Sequence, residues 1–366
     1  MPTSLIRSPV WSSRRKGLVG VLCLGAALLA VGLGVASLAR AGDPEVAVTL
    51  VPLSGLCGDK SDALPREVAA RLAVRAWYAK QTAGVGATPR SPVIFFNAGW
   101  GGSVEGHMNQ IDALVHRGYV VIGVDQIDPE AYRQFVDFSG EEAFVRTRAA
   151  VNLKAGAFAR DNSVVLDILR AAAPCAEDGD VAFVLRRLDF ERIGIMGYSF
   201  GGAVAAETSR QDPRFKAAVN LDGWLFGDVG RLGLSRPFLE ISDDSPLPTA
   251  ADLNSGDTVL RMTSKLTDED YTHVLANMER YGGYFLVMAG SRHQSFVDVS
   301  QRSFLARIAS LLPSARNTVE AVNIYAGAFL DQYVAGEKSD LGKLIASQDD
   351  RVKIVFAKSP VMEATQ

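Results

Sequence analysis

The sequence predicts an α/β fold, with a mostly parallel central sheet and helices on both of its faces. Three observations carry that expectation. Short apolar runs recur at residues 92–96, 119–124, 215–221, 237–241 and 284–288, and another precedes Gly197. Strands apolar along their whole length are buried on both faces, as a covered parallel sheet requires. Helical patterns at 104–117 and 161–172 separate these runs, and such alternation builds parallel crossovers. Finally, Gly197-Tyr198-Ser199-Phe200-Gly201-Gly202 sits between the run Arg192-Ile193-Gly194-Ile195-Met196 and the helix-like Ala203-Val204-Ala205-Ala206-Glu207. Strand, tight turn and helix in that order present a serine at the apex of the turn.

From the amino end, Arg14-Arg15-Lys16 precedes 22 uncharged residues, 17–38, and then Ala39-Arg40-Ala41-Gly42. A basic region, an apolar region and a small-x-small site read as an export signal over residues 1–41. Ser13-Arg14-Arg15-x-x-Leu18 resembles a twin-arginine signal, with Gly17 where an aromatic often stands. The run is also long enough to serve as an uncleaved membrane anchor. Either way the body is expected outside the cytoplasm, periplasmic or secreted. Residues 42–366 read as one domain, because no Pro- or Ser-rich linker divides them.

Within the body, 46–53 reads as extended. Residues 71–78 alternate charged and apolar positions, as a half-buried edge strand does, with a helix from Glu67 competing. The helical stretch 318–333 and a last apolar run at 352–356 complete the pattern. Two stretches, 128–155 and 242–279, the second with many polar residues and weak periodicity, read as lid-like insertions.

Charge narrows the partners. The first 42 residues hold five basic side chains and no acid, so the remainder carries 33 basic and 41 acidic residues, a net of -8. An acidic body is a poor match for nucleic acid. Removal of the signal leaves Cys57 and Cys175, an even pair that can close a disulfide in an oxidising compartment.

A serine hydroxyl needs a base, and the chain has four histidines. His107 and His116 fall in the helical stretch after the Gly-rich loop, upstream of Ser199, and His273 falls in a helical pattern. His293 follows the run 284–288 through the loop Ala289-Gly290-Ser291-Arg292. Parallel sheets gather catalytic groups on the loops at the carboxyl ends of strands, so His293 is the expected base. The acid that orients it is Asp222, after the first strand following the nucleophile helix, or Asp243 or Asp244, after the next one. No H-E-x-x-H, paired-cysteine or dinucleotide motif occurs, and no cofactor is expected.

Three blocks resemble the platelet-activating factor acetylhydrolases and their bacterial relatives, which are α/β-hydrolases. They are Gly197-Tyr198-Ser199-Phe200-Gly201-Gly202-Ala203, the stretch from Asp212 to Trp224 that ends Asn220-Leu221-Asp222-Gly223-Trp224, and His293-Gln294-Ser295-Phe296-Val297-Asp298. The likeness covers roughly residues 70–300. It implies an α/β-hydrolase fold, Asp222 as the acid, and an oxyanion hole built from the backbone N–H groups of Trp100 and Phe200. Two departures stand out: Tyr198 replaces a usual histidine, and Asn97-Ala98-Gly99-Trp100 replaces a Ser-His-Gly loop.

The expected reaction is hydrolysis of a small or lipid carboxylic ester through an acyl-enzyme, with short or oxidised acyl chains of phospholipids implied by the resemblance. Trp224-Leu225-Phe226 reads either as a membrane-interface or acyl patch or as packing beneath a lid. A peptidase or amidase using the same triad, and a catalytically silent binding protein on this fold, are the competing readings.

Overall fold

The computed structural model describes residues 45–56, 66–80, 90–298, 313–347 and 349–360. The expected export signal and Cys57 lie outside the described residues. Nine strands build one sheet among them: β1 (Val46–Leu50), β2 (Leu72–Ala79), β3 (Ser91–Asn97), β4 (Val120–Gln126), β5 (Leu188–Tyr198), β6 (Phe215–Leu221), β7 (Phe238–Ser242), β8 (Gly283–Met288) and β9 (Val352–Lys358). Their spatial order is β1-β2-β4-β3-β5-β6-β7-β8-β9. Strands β3 to β8 run parallel, while β1, β2 and β9 pair antiparallel at the two sides.

Helices α1 (Arg66–Arg71), α2 (Met108–His116), α3 (Glu141–Ala172), α4 (Asp180–Arg187), α5 (Phe200–Gln211), α6 (Val229–Leu232), α7 (Ala250–Leu253), α8 (Thr258–Tyr281), α9 (Pro313–Leu330) and α10 (Leu341–Ala346) complete the regular elements. Strand β3 shows how the sheet is covered. Its alternate residues Val93 and Phe95 join one core with Val165 and Leu169 of α3, while Ile94 and Phe96 join another with Ile111 of α2 and Phe329 of α9. Both faces are therefore dry, which explains why the run is apolar without alternation. Burial of a phenylalanine such as Phe95 contributes roughly 2–3 kcal/mol.

Three expectations need correction. Strand β2 is not at the edge, because β1 pairs with it on the outside. The helical alternative at Glu67 also holds in part, since α1 runs directly into β2. The stretch 128–155, expected as a lid-like insertion with no helix read in it, is partly helical. After a short turn at Pro129–Tyr132, the 32-residue helix α3 begins at Glu141. Up to Ala155 it keeps a weak period because only Phe144, Thr147, Val151 and Ala155 are buried while Val145 and Leu153 are exposed. Asn162 is wholly buried, donating to Asn97 Oδ1 and Thr208 Oγ1, and Asp161 accepts from Gln126. The stretch 242–279 likewise holds most of α8, which turns only a narrow apolar stripe (Met262, Leu266, Val274, Met278) to the core. Narrow stripes on otherwise polar helices give weak periodicity. Residues 104–117 form a 3-10 turn, Val104–His107, followed by α2.

Candidate active site

Ser199 links β5 to α5 with φ 54° and ψ −125°. Among the described residues only Ser199 and Asp222, at φ 58°, are non-glycine positions with positive φ. Each such backbone costs on the order of 1–3 kcal/mol and persists where its surroundings enforce it. For Ser199 the enforcement is close backbone packing. A Cβ on Gly197 would lie 2.1 Å from the Gly201 carbonyl oxygen, and one on Gly201 would lie 2.2 Å from that of Asn97. The glycines thus let the turn close on itself and against the loop after β3.

Parallel pairing places Asp222. Tyr198 of β5 lies in register with Leu221 of β6, and the Ser199 amide donates to the Leu221 carbonyl at 2.7 Å. Ser199 and Asp222 therefore leave neighbouring strands at the same level. His293 arrives from the far side of the sheet, in a 3-10 turn (His293–Phe296) after β8. Its Nε2 lies 3.1 Å from Ser199 Oγ and its Nδ1 lies 2.5 Å from Asp222 Oδ2. With an ionised carboxylate, Nδ1–H must donate, which leaves Nε2 to accept from the serine hydroxyl. Side-chain exposure is 47% for His293 and 11% for Asp222. The imidazole faces a site open to ligand, while the carboxylate is enclosed.

The other candidate acids have different occupations. The Asp243 backbone amide donates to Asp222 Oδ1 at 2.8 Å, while the Asp243 carboxylate accepts from Ser245. Asp244 accepts from the Gly290 amide at 2.9 Å and pairs with Lys353, and those two contacts hold its pKa below the usual carboxylate value. Asp244 thus ties down the loop that carries His293. The loop's other end is fixed by Asp298, which accepts from the Met108 amide at the start of α2 at 2.7 Å. Neither position carried a readable signal for this role, since each contact spans a long stretch of sequence.

Tyr198 was likewise visible only as a departure. Its hydroxyl donates to the His293 carbonyl at 3.0 Å, and its ring lies 4.8 Å from the imidazole at 31°. Of the remaining histidines, His107 is buried against Phe96 and Tyr198, and burial lowers its pKa to about 4. His116 bonds its own helix at the Asp112 carbonyl, and His273 lies within α8.

Phe200 opens α5, so its amide has no acceptor within the helix. Trp100 stands on the loop after β3, its ring 4.9 Å from that of Phe200 and edge-on to it. The indole also donates to the Tyr132 carbonyl at 2.9 Å and packs on Phe135. Trp100 is therefore bound into the segment that follows β4. On the other side, Phe226 is buried in the same aromatic cluster, while Trp224 is half-buried against Phe138. Packing thus accounts for Phe226, and only Trp224 and Leu225 of that tripeptide keep exposed surface.

Cys175 is disulfide-bonded, and the bridge expected to Cys57 ends outside the described residues. Among the described residues no group of three or more His, Cys, Asp or Glu side chains could hold a metal ion, and no helix is long and apolar enough to cross a membrane.

With this geometry in hand, comparison with known proteins is specific. A family model described as platelet-activating factor acetylhydrolase, isoform II, matches residues 176–326. The chain is similar to the platelet-activating factor acetylhydrolases. The match holds Ser199, Asp222 and His293, but it begins after Trp100 and is shorter at that end than the resemblance suggested. The acetylhydrolase of Bos taurus is 28% identical over 165 residues, which cover 43% of this chain and 33% of the relative. That of Gallus gallus is 30% identical over 114 residues, covering 30% and 23%. The chain thus spans about a third or less of the length of these acetylhydrolases. A solved ferulic acid esterase from Streptomyces cinnamoneus superposes with a TM-score of 0.57 at 21% identity, over 88% of this chain and 98% of that one. The shared architecture is the α/β-hydrolase fold.

Proposed function

We propose that the protein is a serine hydrolase of carboxylic esters. What supports this most is the chain Asp222–His293–Ser199, two hydrogen bonds of 2.5 Å and 3.1 Å ending on a serine with strained backbone. In this reading Asp222 fixes the tautomer of His293, which takes the Ser199 proton as Oγ attacks an ester carbonyl. The Trp100 and Phe200 amides receive the oxyanion, an interaction worth roughly 3–4 kcal/mol per donor in the transition state. His293 then protonates the departing alcohol, and water resolves the acyl-enzyme by the same route.

Similarity to the acetylhydrolases supports a short or oxidised acyl group of a phospholipid as this protein's substrate, and half-buried Trp224 offers an apolar contact beside the acid. The leader at 1–41 would deliver this domain, 42–366, to the periplasm or beyond. The deciding experiment measures hydrolysis of a short-chain nitrophenyl ester, an acetyl phospholipid and a matched amide. Ester turnover that vanishes in Ser199→Ala is the expected outcome. Turnover of the amide in preference to both esters would make the protein an amidase, and none by the wild type would leave a silent binder.

A further inference from the structure

Asn220 of β6 and Glu240 of β7 are polar residues in the middle of the sheet, 0% and 3% exposed. The triad chemistry above uses neither. The Asn220 amide makes three bonds. Nδ2 donates to the Gly223 carbonyl at 2.6 Å and to Glu240 Oε2 at 2.7 Å, while Oδ1 accepts from the Gly223 amide at 3.1 Å. Gly223 directly follows Asp222. Asn220 therefore grips the far side of the turn that presents the acid, and β7 grips the near side, where the Asp222 amide donates to Ile241 at 2.8 Å. Between these holds Asp222 keeps its left-handed backbone.

The same group reaches the nucleophile. A Cβ on Gly202, in the first turn of α5, would lie 1.7 Å from Asn220 Oδ1, and one on Gly223 would lie 2.0 Å from the Ser199 carbonyl oxygen. Both glycines make room for the clamp to sit against the elbow. A shift of this turn would be felt by Ser199 and Asp222 together.

Glu240 sets the direction of the amide, because its Oε2 needs a donor and only Nδ2 supplies one. Its Oε1 lies 3.2 Å from Ser242 Oγ. The charged groups that face it are Asp270 on α8 and Asp222, both acids, and no cation among the described residues pairs with it. Burial, first, and then those two carboxylates push its pKa well above its ordinary value. The Ser242 hydroxyl donates to Oε1 when Glu240 is ionised; protonated, Glu240 would reverse that bond and donate from Oε1 while Oε2 still accepts from Asn220, closing the network without a charge.

We propose that Asn220 and Glu240 are a positioning pair for Asp222, in which Glu240 acts as an un-ionised hydrogen-bonding clamp behind the triad. The inference rests on the triad reading above. Gln at 240 reproduces the neutral acid: its carbonyl accepts from Asn220 and its NH2 donates to Ser242. Leu at 240 removes both contacts.

The test compares wild type with Glu240→Gln, Glu240→Leu and Asn220→Ser. Each is assayed for kcat and KM on a nitrophenyl ester across pH, with thermal unfolding and active-site titration to count working molecules. Glu240→Gln should keep kcat within about threefold, whereas Glu240→Leu and Asn220→Ser should lose about 30-fold or more at similar KM per titrated site. The acidic limb of kcat/KM, which reports His293, should be unmoved in Glu240→Gln. A fall of that limb by about half a pH unit or more would mean that the wild-type group is charged and would overturn the proposal. So would equal losses in Gln and Leu, or undiminished kcat in Asn220→Ser, a milder change that stands in should Glu240→Leu fail to fold. Absence of Ser199-dependent turnover in the wild type would instead remove the hydrolase reading itself.

Discussion

Replacing Asp222 by asparagine tests the site most sharply, because both oxygens of this carboxylate accept from donors. Oδ2 faces His293 Nδ1 and Oδ1 faces the Asp243 amide. Asparagine has one acceptor and one donor to offer. If its NH2 faces the Asp243 N–H, two donors collide in an enclosed place, at about 1–3 kcal/mol. Turned the other way, its oxygen serves Asp243 and its NH2 donates to Nδ1. The imidazole then carries its proton on Nε2, and every group is satisfied. That second state is preferred, and in it Nε2 donates to Ser199 instead of accepting its proton. Loss of the correct tautomer in a serine triad lowers kcat by roughly 10⁴, about 5.4 kcal/mol of barrier. The assay is nitrophenyl ester hydrolysis near neutral pH, beside thermal unfolding. We expect kcat down about 10³- to 10⁴-fold with the unfolding temperature nearly unchanged. A kcat within about tenfold of wild type would refute the tautomer argument and reopen the role for Asp243 or Asp244.

Three further predictions concern contacts at and beyond the site. Tyr198→Phe removes the hydroxyl that holds the His293 carbonyl and leaves the ring in place. It should cost about 1 kcal/mol of stability and several-fold in kcat, read by urea unfolding and by rate, and no change in either would show that the turn needs no such anchor. Asp270, whose enclosed carboxyl accepts from the Leu225 amide at 2.6 Å, has its pKa raised by burial to about 7. A raised carboxyl pKa means that the unfolded chain ionises first. Stability attributable to the protonated form is therefore full below about pH 4 and is lost as pH climbs through 7. Asp270→Asn should remove that slope, giving a variant more stable than wild type at pH 8 by at most about 4 kcal/mol, with the difference gone at pH 4 in urea titrations. Cys175→Ser should lower stability by roughly 2–5 kcal/mol, and reductant should bring the wild type down to the same level.

What could be read from the sequence was whatever one segment specifies alone. The elbow was legible because Gly197, Ser199 and Gly201 sit at fixed spacing between an apolar run and a helix, and the backbone needs those residue types there. His293 was legible by elimination among four histidines. Asp222 was harder, since two adjacent strands end in acids and only the family resemblance separated them. In the structure both strand ends meet: the residue after β7 touches the Asp222 carboxylate, but through its backbone amide. The first half of helix α3 was missed because its inward stripe is narrow (Phe144, Thr147, Val151, Ala155) while the apolar Val145 and Leu153 face solvent, which blurs the period. The Trp100 cluster, the Tyr198 hydroxyl and the Asn220–Glu240 pair were invisible for one reason. Each joins side chains from segments that meet only when the sheet assembles.

The level pairing of Tyr198 with Leu221 divides responsibility for alignment unequally. Spacing between the Ser199 hydroxyl and the Asp222 carboxylate is set by two adjoining strands, a stiff gauge. The imidazole hangs instead from a longer span, pinned by Asp244 at one end and Asp298 at the other, with the Tyr198 hydroxyl as its tie to β5. Gentle heating or dilute denaturant should therefore silence turnover before the sheet melts, by letting that one ring drift while its two companions stay in register.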